Sequence, residues 1–134
     1  MPEDFSVAVC ALPVSAGFPS PAGDDLEDEI DPIAWIVRRP GSTFWWRVQG
    51  DCLEDVGIRH GDLIAVDRAG TKKLGRIVLA IIDGDITAKI LARDKRGYWL
   101  RPANRKANYK DIPFTETTEV WGVVAGVVRR YEVE

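Results

Sequence analysis

The chain has 134 residues, 46% of them hydrophobic and 29% charged. That is enough for one domain burying roughly two-thirds of its unfolded surface, and too apolar for a disordered chain. A net charge of −3 gives no overall field toward nucleic acid or an anionic membrane. Two cysteines and one histidine allow neither a disulfide framework nor a cysteine metal cluster, so no cofactor or metal is expected.

Residues 1–24 are expected to be an extended, exposed arm. Pro13, Gly17, Pro19, Pro21 and Gly23 crowd its second half and oppose helix and central strand alike. Pro2-Glu3-Asp4 is not the basic start of a secretory signal, and the longest strongly apolar stretch, Ile77 to Ile82, is far too short to span a bilayer. A cytoplasmic location without membrane contact is the expectation. Asp24 to Asp31 carries six acids in eight positions and reads as a solvated run. A helix is predicted over Pro32 to Arg38, capped by Asp31, with Pro32 in its first turn and an apolar stripe of Ile33, Ile36 and Val37.

The remainder reads as strands. Thr43 to Gln49 alternates Phe44, Trp46 and Val48 against Trp45, Arg47 and Gln49, so Trp45 and Trp46 face opposite ways, one toward the core. Leu63 to Val66 follows a His60-Gly61-Asp62 turn. Arg76 to Ile82 and Asp85 to Arg93 flank Asp83-Gly84, a strong hairpin signal. Tyr98 to Leu100 is brief, and valine-rich Val120 to Tyr131 closes a mainly β domain over residues 25–134.

Cys52 follows Gly50-Asp51 just after a predicted strand, a place that suits a nucleophile on a turn; equally, a free cysteine packs as a small apolar residue. Lys89 shares a strand face with Asp85, Thr87, Leu91 and Arg93, and by alternation alone it belongs in water. A neutral lysine can act as base toward a hydroxyl or thiol. His60 offers a competing Cys-His pair, although its Gly-Asp neighbours suit a turn. Arg93 to Lys110 holds seven basic residues among Tyr98, Trp99 and Tyr109, which fits a solvated loop, a partner surface or contact with nucleic acid.

In combination these parts become specific. Val14-Ser15-Ala16-Gly17-Phe18-Pro19 resembles a self-cleavage segment, Gly50-Asp51-Cys52-Leu53 a Gly-Asp-Ser-Met nucleophile motif, and Asp83 to Lys89 the hairpin that bears a catalytic lysine. Gly61 to Asp67 and Trp121-Gly122-Val123-Val124 resemble the strands around them. The chain resembles the LexA/UmuD family of self-cleaving serine peptidases, from about Ser15 to Arg130. With about sixteen residues before Ala16-Gly17, it is most similar to the UmuD branch.

The resemblance implies a LexA/signal-peptidase-like fold of twisted strands with one short helix and an extended N-terminal arm. It also implies a homodimer of the SOS response. Contact with a RecA–single-stranded-DNA filament would stimulate cleavage between Ala16 and Gly17. The shortened form would then serve a UmuC-type translesion polymerase, without sequence-specific DNA binding of its own. Cys52 takes the nucleophile's position and Lys89 the general base's, with backbone N–H groups of the Gly50-Asp51 turn and Cys52 at the oxyanion. The family carries serine where this chain has Cys52. A thiolate paired with a lysine ammonium would leave a dimeric scaffold impaired in cleavage, and that alternative stands beside the active peptidase.

Overall fold

Alternating apolar segments between glycine, proline and aspartate turns fold as strands, and the architecture is mainly antiparallel β with a short α-helix. The structure is a computed structural model describing residues 7–10 and 26–134. It divides into two units, Met1–Arg38 and Arg39–Glu134.

In the first unit, β1 (Val7–Cys10) pairs antiparallel with β2 (Leu26–Ile30). Much of the acidic run is therefore strand and not merely solvated coil. Ladder bonds are made by backbone groups, and side-chain charge does not report them. Helix α1 (Pro32–Ile36) starts as its sequence predicts: the Asp31 carboxylate accepts from the N–H groups of Ile33 and Ala34 at 3.0 and 3.2 Å. It ends two residues early, because β-branched Val37 is already extended at φ −90° and ψ 94°. Of the arm expected over residues 1–24, only Val7–Cys10 is described, as strand β1; the rest lies outside the described residues.

The second unit is a seven-stranded antiparallel sheet. Its strands are β3 (Thr43–Arg47), β4 (Leu63–Asp67), β5 (Ile77–Ile82), β6 (Asp85–Asp94), β7 (Gly97–Arg101), β8 (Ile112–Pro113) and β9 (Glu119–Val128). They lie in the order β3-β4-β9-β5-β6-β7-β8. Between β5 and β6, Asp83 and Gly84 both take positive φ (49° and 85°), the backbone that a two-residue hairpin turn requires. That turn fixes the register: Ile82 faces Asp85, and Lys89 comes opposite Val78.

Both faces of the sheet are covered at its centre. Ile77 and Leu79 of β5 pack with Leu53, Ile58, Ile64 and Val66, whereas Val78 and Ala80 pack with Leu91, Leu100 and Val123. Neighbouring residues of one strand point to opposite faces, so these are two cores on one sheet. Leu53, only 2% exposed, anchors the turn that carries Cys52 into the first of them.

Candidate active site

Three segments hold Cys52. Upstream, Val48 and the turn after Ile58 are tied by two bonds of 2.8 Å, from Val48 N–H to the Asp62 carbonyl and from Gly61 N–H to the Val48 carbonyl. Gly50, at φ 94°, donates its N–H to His60 Nδ1 at 3.0 Å. Downstream, buried Leu53 leads into a 3-10 turn at Glu54–Val56. From the third side, Ala103 N–H donates to the Cys52 carbonyl at 2.7 Å, and Asp55 N–H returns a bond to the Ala103 carbonyl at 2.8 Å.

Lys89 reaches this turn from β6. Its Nζ lies 3.2 Å from Cys52 Sγ and donates to Thr87 Oγ1 at 2.6 Å. Cys52 Sγ is also 3.6 Å from the Ala88 carbonyl oxygen, within sulfur's longer reach. Lys89 is 8% exposed, and among the described residues it forms no ion pair with a carboxylate. The hydrogen-bonding partners of its Nζ are the Thr87 hydroxyl and the Cys52 sulfur. The pair opens on a cleft of about 400 Å³ whose walls include Trp46, Gln49, Ile86 and Tyr109.

The N–H groups of Asp51 and Cys52 have no acceptor among the described residues. The Gly50 N–H is engaged by His60. His60 itself lines a separate depression with Arg47, Arg59 and Arg129, and its ring is turned to Gly50. The Tyr109 hydroxyl donates to Asp51 Oδ1. That bond and the negative charge of Asp51 push the phenol above its ordinary value. Ala16 and Gly17 lie outside the described residues.

A buried amine against a sulfur on a Gly-Asp turn, in a sheet of this topology, can be compared with known proteins. Residues 9–125 match the family described as Peptidase S24-like. The chain belongs to the peptidase S24-like family. It is 38% identical to Protein ImpA of Salmonella typhimurium over 115 residues, covering 86% of this chain and 78% of that protein. It is 41% identical to Protein MucA of Escherichia coli over 112 residues, 83% of this chain and 76% of that one. A LexA repressor of Alcanivorax borkumensis is 35% identical over 117 residues, 87% of this chain and 56% of the repressor.

Within this S24-like domain, alternation by itself would leave Lys89 in water. It is buried because the middle of β6 is covered on both faces, and the clue was Leu91 beside it on the supposedly polar face, 5% exposed. Thr87 is a partner that strand periodicity could have supplied, being two residues away on the same face. His60, Ala103, Asn104 and Tyr109 could not be found this way, since each is joined to the Cys52 turn by chain folding alone. The basic stretch is largely spent on local contacts. Arg93 and Arg96 stack over Tyr98 and Trp99, and Arg101 and Arg105 pair with Asp111 and Asp55.

Proposed function

We propose that this S24-like chain is a UmuD-like protein of the SOS response that cuts its own Ala16–Gly17 bond, with Cys52 as nucleophile and Lys89 as general base. The observation that carries the reading is the 3.2 Å approach of a buried Lys89 Nζ to Cys52 Sγ without a competing carboxylate. Likeness to ImpA, MucA and a LexA repressor supports it.

In this mechanism the neutral Lys89 amine, oriented by Thr87, takes the proton of Cys52 Sγ. The sulfur attacks the Ala16 carbonyl carbon, and the N–H groups of Cys52 and Asp51 stabilise the resulting oxyanion. Collapse breaks the C–N bond, and the Lys89 ammonium returns its proton to the Gly17 nitrogen. Water then hydrolyses the Ala16 thioester with Lys89 again as base, releasing residues 1–16 and restoring the thiol. Small Ala16 and Gly17 suit a narrow cleft, and the neighbouring prolines reduce the freedom that an extended arm loses on binding. The RecA–single-stranded-DNA filament as stimulus, a homodimer as the working form and a UmuC-type polymerase as client follow from the UmuD resemblance.

One observation favours a second reading. A sulfur 3.2 Å from an amine also suits a thiolate–ammonium pair. In that state Lys89 has no free electron pair to offer, and the chain would work as a binding scaffold with slow cleavage. A variant series separates the two. Under the peptidase reading the parent cleaves, and its rate rises from neutral to alkaline pH. Under the scaffold reading the parent is slow and flat in pH, while Cys52→Ser recovers both rate and alkaline rise. Lys89→Ala should lower the rate of the serine form by about 100-fold or more. His60→Ala, which removes only the brace on Gly50, should leave most of it. Normal cleavage by Lys89→Ala together with a dead His60→Ala would replace the Cys-Lys mechanism with a Cys-His one.

A further inference from the structure

The loop after β7 meets the nucleophile turn at two places: Tyr109 lines the cleft, and Asn104 lies in a separate depression. Asn104 Nδ2 donates to the Asp51 carbonyl at 2.8 Å, and the Glu54 N–H meets the same oxygen at 3.3 Å. The amide's orientation is fixed by its other end, where Asn104 Oδ1 accepts from the N–H groups of Lys106 and Ala107 at 3.1 and 3.2 Å. Asn104 lines a depression with Asp51, Glu54 and Asp55 that does not include Cys52, and it does not line the cleft that Cys52 shares with Lys89.

The Asp51–Cys52 peptide is trans, so its carbonyl and the Cys52 N–H point in opposite directions. A clamp that draws the carbonyl toward Asn104 therefore turns the Cys52 N–H away from Asn104, and that N–H has no acceptor among the described residues. We propose that Asn104 is a positioning residue that sets the tilt of the Asp51–Cys52 peptide and so aims the Cys52 N–H at the oxyanion of the cleaved carbonyl. The inference rests on the self-cleavage reading for its reaction, but its geometry can be tested apart from that reaction.

Asn104→Asp keeps the oxygen that orders the loop and removes the donor to Asp51. Asn104→Ala removes both without adding charge. Each is compared with the full-length parent by three measurements, the first in both the Cys52 chain and the Cys52→Ser background, the second and third in the Cys52 chain. The first is the rate of self-cleavage. The second is affinity for a peptide aldehyde, acetyl-Val-Ser-Ala-H: Sγ adds to its carbonyl carbon, the thiol proton passes to the carbonyl oxygen, and that oxygen then sits where the oxyanion would. The third is alkylation of Cys52 by iodoacetamide, in which sulfur displaces iodide and no oxyanion forms.

Both variants should lose about ten- to a hundred-fold in cleavage and in aldehyde affinity, while Cys52 alkylation stays within about two-fold of the parent. Equal losses in alkylation, or unchanged aldehyde affinity, overturn the positioning role. If the parent forms the aldehyde adduct but does not cleave in either background, reduced affinity in the variants upholds Asn104 and the self-cleavage reading fails. Unchanged cleavage in both variants leaves that reading standing and overturns Asn104. A parent that forms no adduct overturns the positioning role outright.

Discussion

Asp62 is a buried carboxylate that two hydrogen bonds of 2.6 Å from Arg129 and one of 2.7 Å from the Arg59 N–H keep ionised. The Arg129 bonds are the chief reason its pKa falls below the ordinary 3.8, against a burial effect that pushes it up. Because the folded value is the lower one, the stabilisation is complete above about pH 4 and is lost as pH falls through the folded value. Arg129→Ala leaves the buried Asp62 carboxylate without its partner and should lower stability in urea unfolding at neutral pH. Below about pH 4 its deficit relative to the parent should shrink, as the parent loses the same contribution. No measurable deficit at neutral pH, or one that grows in acid, would contradict this account of Asp62. At this scale the sequence was partly legible. The Gly-Asp-Cys and Lys89 motifs were visible as a family likeness and Thr87 follows from strand periodicity, whereas the partners Asn104 and Tyr109 and the bond from the Gly50 N–H to His60 depend on how distant segments meet.

Among elements, β9 shows what a short motif can conceal. Trp121 packs edge-on against Phe44 and Trp46, as alternation on β3 suggested when it put those two on one face. Gly122 is there for contact: a Cβ would lie 2.7 Å from Val66 Cγ1 and 3.0 Å from the Asp67 carbonyl oxygen. Irregular register on both sides of β9, at Ala65/Val66 and Leu79/Ala80, accompanies this close approach. Gly122→Ala should therefore destabilise by about 1–3 kcal/mol in denaturant unfolding, whereas a loss below about 0.5 kcal/mol would mean that β4 yields freely. Six strands of the seven-stranded sheet, β3 to β7 and β9, and α1 were legible because periodicity, turn residues and a cap agreed on them. β8 is two residues long, Ile112–Pro113, and β2 lies in an acidic run; both exist through pairing with β7 and β1, which no local pattern reports. The burial of Lys89 was hidden from alternation for a related reason, since a strand covered on both faces has no polar side for that pattern to reveal.

For the whole molecule, the described residues contain no helix long and apolar enough to cross a membrane. The seven-stranded sheet ends in β3 on one side and short β8 on the other, and Phe44 and Trp45 of β3 are 49% and 38% exposed. A strand edge unpaired among the described residues and bearing exposed aromatic side chains is a surface that association can cover. Together with the UmuD resemblance, this leads us to expect a homodimer at about 10 µM in sedimentation, one that persists after residues 1–16 are removed; a monomer at that concentration would contradict it. The central claim is that this chain carries both its catalyst and its substrate, and intact mass against time tests it most directly. Purified parent and Cys52→Ser chains are followed from neutral to alkaline pH, each beside the same chain with Lys89→Ala. One cut is expected, between Ala16 and Gly17, leaving residues 17–134, faster as pH rises in at least the serine form and lost with Lys89. A stable full-length mass in both forms under alkali, or a cut elsewhere that survives Lys89→Ala, would contradict it.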